Sequence, residues 1–94
     1  MNEHGIYMVH KAFMIKDRGV IVVGKVSNGN FHVGEKIIIR RQNGTHVKSM
    51  IKSFEFVNGE FMKKEGTIAM SFHDVQMDDV SAGDVIYTED IKSK

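Results

Sequence analysis

The sequence predicts an all-β protein, folded as a small closed antiparallel β-barrel of about six strands. Its apolar residues occur in short runs rich in β-branched types and separated by glycine-containing turns, which is the pattern of strands. No segment has the apolar periodicity of a helix that could cover a sheet. With 94 residues the chain is long enough for one domain, and a closed barrel leaves few strand edges exposed at that size. We therefore expect one domain over residues 1–94, with its core at 6–88 and a frayed tail at 89–94.

The first two predicted strands lie in the first 26 residues. One runs from Ile6 to Ile15, and the next, from Val20 to Val26, is apolar on both faces except at Lys25. A strand that is apolar on both faces is expected to be covered on both sides. Asn28-Gly29 follows it and has the composition of a hairpin turn, since both residues tolerate left-handed geometry.

The middle of the chain predicts two more strands joined by a hairpin. Ile37–Ile39 forms the third strand, and Asn43-Gly44 predicts the turn after it. A long strand is expected over His46–Val57, but Met50 and Ile51 are adjacent apolar residues and break the alternation. A β-bulge near Met50 would reconcile the two halves.

The last two strands are predicted after a third turn of the same composition, Asn58-Gly59. Thr67–Phe72 alternates cleanly and is expected to be half-buried, with one apolar face made of Ile68, Met70 and Phe72. Asp84–Thr88 supplies the final strand.

Composition and the absence of certain motifs exclude several classes of protein. The formal net charge is +1, so binding to a nucleic acid would require a local basic patch. There is no cysteine, no apolar run of the roughly 20 residues that span a bilayer, and no secretory signal, so we expect a cytoplasmic protein with no membrane partner. The phosphate-binding pattern GxxxxGK followed by Ser or Thr is absent, which predicts that the chain binds no nucleotide.

No constellation predicts catalysis or metal binding. The five histidines are not spaced as metal ligands, and the acidic residues Asp78, Asp79 and Asp84 stand in turn sequence, where polar side chains are usual. The expectation is a non-enzymatic protein with no catalytic residue, no metal site and no cofactor.

Basic and aromatic residues are interleaved along the predicted strands. Arg18 and Lys52 lie near other lysines and arginines in the chain, and Phe13 and Phe54 are interleaved with these basic residues. Phosphates pair with such charges and bases stack on such rings, so the pattern favours an RNA-binding surface. A solvated barrel exterior would have a similar composition, and the residues alone leave both interpretations open.

The order of the motifs resembles the second domain of elongation factor Tu and related translational GTPases. The resemblance extends from about Val9 to Thr88 and rests on an ordered set of segments: Phe13-Met14-Ile15, Arg18-Gly19, Gly24-Lys25-Val26, Val33-Gly34-Glu35, the Ile51–Phe56 strand and Asp79–Ile86. It implies a six-stranded antiparallel barrel. In elongation factor Tu that barrel helps to hold the aminoacylated 3′ end of tRNA, and in other members it contacts rRNA.

The resemblance also implies site residues. Glu55 matches the glutamate that meets the terminal ribose, Arg18 matches an arginine in the first turn, and Phe13 matches an apolar position near the pocket. Thr67 aligns with the family's asparagine ahead of its last apolar strand. The chain departs from the family where His10-Lys11 replaces an acidic pair.

Two functional hypotheses follow. The first is a stand-alone elongation-factor-like module that lacks a GTPase domain and contacts tRNA or rRNA through Phe13, Arg18, Lys52, Glu55 and Thr67. The second is a protein-interaction or oligomerisation module that has lost RNA binding, which the near-zero net charge and the 7 methionines favour. The chain could also work beside a separately encoded GTPase subunit.

Overall fold

Six antiparallel strands close into a barrel in the computed structural model, which describes residues 5–55 and 66–89. The strands are β1 (Ile6–Ile15), β2 (Gly19–Asn28), β3 (Lys36–Arg40), β4 (His46–Glu55), β5 (Thr67–Phe72) and β6 (Val85–Thr88). Around the barrel their order is β1-β2-β5-β4-β3-β6, and β6 pairs with β1 to complete the circle. A single 3-10 turn at Met77–Asp79 is the only helical segment of the described ranges. The predicted all-β barrel is confirmed.

Alternate side chains of every strand fill the interior of the barrel. Tyr7 is fully buried there, and its ring meets that of Phe31 edge to face at a centroid distance of 5.8 Å. The Tyr7 hydroxyl donates to the carbonyl oxygens of Val22 and Ile68, at 3.2 and 2.8 Å. The rest of this core is aliphatic apart from one further phenylalanine: Val9, Val20, Val22, Ile37, Ile39, Ile51, Met70, Phe72, Val75, Val80 and Ile86.

Gly24 allows β1 and β2 to approach closely. A Cβ at this position would lie 2.1 Å from the Met8 carbonyl oxygen and 2.8 Å from Cε1 of Tyr7. The β1–β2 register also shifts between Val9 and Lys11, which leaves His10 as an extra residue in β1. A side chain at Gly24 would therefore push apart the two strands that hold Tyr7 in the core.

The hairpin predicted at Asn28-Gly29 is wrong. β2 pairs with β1 and β5, whereas β3 pairs with β4 and β6, so the two strands around this turn are not neighbours. The chain crosses the end of the barrel between them, and burial of Phe31 against Tyr7 stabilises this crossing. Asn43-Gly44, by contrast, does join the paired strands β3 and β4. The third predicted turn, Asn58-Gly59, lies outside the described residues.

The predicted bulge in β4 is present, but it lies further along the strand than the sequence suggested. Ile51 pairs with Phe72 and Ser53 pairs with Ser71, so Lys52 is the additional residue. Ile51 therefore points into the core, while Glu55 lies on the exterior beside its partner Ala69. The sequence pattern had placed Ile51 and Glu55 on one face, because it located the irregularity before Ile51.

β2 and β5 are covered on both faces. Every residue from Val20 to Gly24 is buried, as the sequence predicts. β5 was expected to be half-buried, yet Ala69 and Ser71 on its second face are 1% exposed. The expectation was wrong because a second apolar cluster covers the outside of the barrel at these strands.

Asp84 connects the turn between β3 and β4 to the loop before β6. Its carboxylate accepts from Arg41 Nε at 2.7 Å and from the backbone N–H groups of Ser81 and Gln42, at 2.9 and 3.2 Å. Arg41 also donates to the Asp78 carbonyl oxygen at 2.7 Å. Asp84 is 1% exposed, so it is a buried structural anion and not a solvated turn residue.

At the end of the described chain, the Glu89 N–H donates to the Lys36 carbonyl oxygen at 3.0 Å, and the rest of the predicted tail lies outside the described residues. In the ranges 5–55 and 66–89, no helix has the length and apolarity that crossing a membrane requires.

Candidate functional site

Two cross-strand rows of side chains form one continuous patch on the outside of the barrel, here called the β2–β5 face. The strand registers place Phe13, Ile21, Ser71 and Ser53 in one row. They place Lys11, Val23, Ala69 and Glu55 in the next. Each row crosses β1, β2, β5 and β4 in that order.

The floor of the β2–β5 face is apolar and closely packed. Ile21 and Val23 are fully buried and Ala69 is 1% exposed, although all three lie on the exterior of the barrel. Phe13 and Ile15 pack against them from β1. The Lys11 ammonium lies 5.8 Å from the centre of the Phe13 ring, within the range of a cation–π contact.

Glu55 lies at the edge of this floor, with 9% of its surface exposed. Its Oε1 accepts a hydrogen bond from Arg18 Nη2, and its Oε2 accepts from the hydroxyls of Ser53 and Ser71, the latter at 2.9 Å. The two serine oxygens are 3.0 Å apart. A carboxylate has about four acceptor positions, and the described part of the chain supplies donors to three of them.

The two partners of the ion pair are unequally exposed. The Glu55 side chain is 6% exposed, whereas that of Arg18 is 51% exposed and reaches Glu55 from the β1–β2 turn. Because the Glu55 carboxylate is largely buried, Arg18 can leave it only when another hydrogen-bond donor takes its place. Ser53 and Ser71 would still hold the carboxylate in place. The site therefore combines a fixed anion with a movable cation.

Thr67 lies on the same face, two residues before Ala69 on β5, and pairs with Lys25. Its hydroxyl oxygen is buried, and it has no hydrogen-bond partner in the part of the chain that the structure describes. The hydroxyl keeps its capacity to donate and to accept, but a ligand reaches it only after the side chains over it move.

Of the predicted site residues, the structure brings Arg18 and Glu55 into contact, whereas Phe13 on β1 and Thr67 on β5 lie elsewhere on the same face. Lys52 is the exposed residue of the β4 bulge and is adjacent to Ser53 in the chain. It contributes charge at the border of the face, and no contact between Lys52 and Glu55 is seen among the described residues.

Sequence reasoning missed Ser53 and Ser71. Alternation in β5 already placed Thr67, Ala69 and Ser71 on one face, which was a usable signal. The pairing of β5 with β4 was not readable, and only that pairing brings Ser71 beside Ser53 and Glu55.

In this cluster the two serine hydroxyls act as hydrogen-bond donors that hold the Glu55 carboxylate in place. Both serines donate to a carboxylate that is also paired with an arginine, and such a carboxylate is a poor general base. Within residues 5–55 and 66–89, no three His, Cys, Asp or Glu side chains are grouped so that they could hold a metal ion.

Comparison with known proteins returned no match, either to the models of protein families or to curated sequences.

Proposed function

We propose that this protein is a non-enzymatic, cytoplasmic RNA-binding module of the translation-factor type, which uses the β2–β5 face to contact tRNA or rRNA. The observation that carries the proposal is the Glu55 carboxylate, held by two serines at the edge of a buried apolar floor. The motif order that resembles the second domain of elongation factor Tu supports the same function.

Each part of the face has a role in this proposal. The ring of Phe13, which is partly exposed beside the buried apolar floor, stacks on a nucleoside, while the floor holds that ring in place. Glu55 accepts a hydrogen bond from a ribose hydroxyl, the group that distinguishes RNA from DNA. The Thr67 hydroxyl, buried on the same face, supplies a second polar contact once the side chains over it move.

Binding exchanges one partner of Glu55 for another. When a ribose hydroxyl approaches, Arg18 swings away from the carboxylate and pairs with a phosphate, because its side chain is half exposed. Lys52 is exposed at the β4 bulge and adds a second phosphate contact. The net charge of the protein is close to zero, so these local cations supply the electrostatic attraction.

The first test is the binding of labelled tRNA and rRNA fragments at about 50 and about 200 mM salt. For single-stranded contacts, the slope of log affinity against log salt is about −0.7 per phosphate contacted, so Lys52→Ala should make it shallower by about 0.7. Lys48→Ala is the matched control, because Lys48 is an exposed lysine of the same strand that pairs with β3. A failure of both RNAs to bind at low salt would end the RNA hypothesis.

The second test addresses the ribose contact and changes the RNA as well as the protein. Wild-type protein should prefer an RNA with a 3′-terminal ribose over its terminal 2′,3′-dideoxy form by about tenfold, the effect of one hydrogen bond to a charged group. Glu55→Gln should remove this preference. Glu35→Gln is the matched control, because it makes the same chemical change in the turn before β3. Equal discrimination by wild type and Glu55→Gln would refute the role of Glu55.

A protein-interaction module is the second candidate, and one observation favours it. Arg18, Ser53 and Ser71 already satisfy most of the acceptor capacity of Glu55, so the β2–β5 face is stable without a ligand. If the salt titration shows no RNA binding, the ion pair is better explained as a brace of the barrel exterior.

A further inference from the structure

The barrel has a second apolar surface on its exterior, opposite the β2–β5 face and centred on β6. The strand registers place Met8, Val85 and Arg40 in one cross-strand row. They place another row beside it: Ile6, Tyr87, Ile38 and Lys48. We call these two rows the β6 strip.

The apolar side chains of the β6 strip are accessible. Met8 is 38% exposed, and Ile6, Ile38, Val85 and Tyr87 are all partly exposed. On the β2–β5 face, by contrast, the side chains of Ile21 and Val23 point away from the barrel interior and are nevertheless fully buried. One outer apolar surface is thus covered and the other is open. A contiguous apolar patch of this kind marks an interaction surface more often than scattered single residues do.

The β6 strip is concave and its border is basic. A cleft of about 380 Å³ is lined by Ile6, Arg40, Val85 and Tyr87. Cations line the side formed by β3 and β4, all exposed: Lys36, Arg40 and Lys48. Two carboxylates lie at that end of the strip: Glu89 adjoins Lys36, and Asp74 lines the same neighbouring cleft as Lys36 and Lys48.

We propose that the β6 strip binds an acidic amphipathic helix of a partner protein. Adjacent strands are about 4.8 Å apart, so β1, β6 and β3 present roughly 10 Å of apolar surface. A helix with apolar residues at i, i+3 or i+4, and i+7 presents anchors over about the same length. Acidic residues along one flank of that helix would meet the cations of β3 and β4.

Charge and chemistry disfavour two other occupants. In a two-fold dimer whose axis runs along the cross-strand rows, the basic sides of the two copies, with Arg40 and Lys48, would face each other, and like charges repel. An RNA bound to the strip would meet several cations, but its bases could stack only on Tyr87, since the other apolar side chains of the strip are aliphatic or methionine.

The test is a selection from a display library of helical peptides of about three turns, using the whole chain as bait. The enriched peptides should be acidic and carry apolar residues at i, i+3 or i+4, and i+7. In NMR titrations the amide shifts of Ile6, Val85 and Tyr87 should move with the chosen peptide. Enrichment of basic peptides, binding at another surface, or no enrichment would overturn the proposal.

Charge reversal then tests the basic border. Arg40→Glu should lower the affinity for the selected peptide by about tenfold or more, the loss expected for a central contact. Lys16→Glu makes an equal change of charge in the β1–β2 turn and should leave the affinity within about twofold. Circular dichroism establishes that both variants are folded. Equal weakening by the two variants would show that only overall charge matters.

The remaining occupants are distinguished by two further measurements. Sedimentation over a range of concentrations would reveal a dimer, and a dimer abolished by Tyr87→Gln would assign the β6 strip to a second copy instead. RNA that shifts the amides of Val85 and Tyr87 would assign it to nucleic acid. Either outcome contradicts the proposal.

Discussion

The buried hydroxyl of Tyr7 is expected to make a measurable contribution to stability. It donates to two carbonyl oxygens inside the barrel, and no water reaches it, because Tyr7 is fully buried. Tyr7→Phe removes the donor and leaves both carbonyls short of one partner. The net loss is about 1–2 kcal/mol in the free energy of unfolding. For a domain of this size that corresponds to roughly 5–10 °C in Tm.

The same hydroxyl predicts a dependence on pH. Burial raises the pKa of Tyr7 above its usual range, so the folded protein keeps the proton where the unfolded chain loses it. The stability that Tyr7 contributes is therefore complete below pH of about 10, the usual tyrosine value, and falls by up to about 1.4 kcal/mol per pH unit above it. Tyr7→Phe lacks this term, so the difference between variant and wild type should narrow above that pH.

Urea unfolding followed by circular dichroism at neutral and at alkaline pH tests both statements. Tyr87→Phe is the matched control, because Tyr87 is the other tyrosine and is partly exposed on the exterior. Removing the Tyr87 hydroxyl should change the free energy of unfolding by less than about 0.5 kcal/mol. If Tyr7→Phe were as stable as wild type at neutral pH, or lost stability as steeply above pH of about 10, the reasoning would be refuted.

Two further predictions concern the barrel framework and are checked by the same unfolding assay. Gly24→Ala should lower the free energy of unfolding by about 3 kcal/mol or more, because its Cβ would lie 2.1 Å from the Met8 carbonyl oxygen. Gly44→Ala is the control: Gly44 has a φ of 92° and nothing within 4 Å of its Cβ position, so the loss should be about 1 kcal/mol. Equal costs would show that backbone strain and not close approach dominates. Asp84→Asn should lower the free energy of unfolding by about 2–3 kcal/mol, because it weakens a buried ion pair and turns an amide N–H toward backbone donors. The control is Asp74→Asn, which should be nearly neutral because Asp74 is exposed. A neutral Asp84→Asn would show that the anion is not needed there.

Local pattern predicted much of the fold. The run Val20–Val26 predicted a strand covered on both sides, and Asn43-Gly44 predicted the β3–β4 hairpin; both are confirmed. Both predictions depend on neighbours in the chain, where side-chain alternation and turn chemistry act directly. The Asn28-Gly29 prediction failed because the same turn composition also serves a crossing between strands that do not pair.

Sequence reasoning named some residues of the candidate site but not the contacts between them. Glu55 and Arg18 were identified from the sequence, 37 residues apart. Their ion pair depends on β4 pairing with β5, on β5 pairing with β2, and on the β4 bulge that turns Glu55 outward. Ser53 and Ser71 become its partners for the same reason, so sequence alone could not assign them to the site.

The amino-acid sequence by itself determined the class of the fold, the approximate strands and the absence of cysteine and nucleotide-binding motifs. These properties follow from composition and from interactions between residues close in the chain. The tertiary structure alone decided which apolar exterior is covered and which is open. Ile21 and Tyr87 both stand in apolar strands, yet one is buried under its own chain and the other is partly exposed on the β6 strip. The difference arises from the strand order around the barrel, because that order brings together side chains that are distant in sequence.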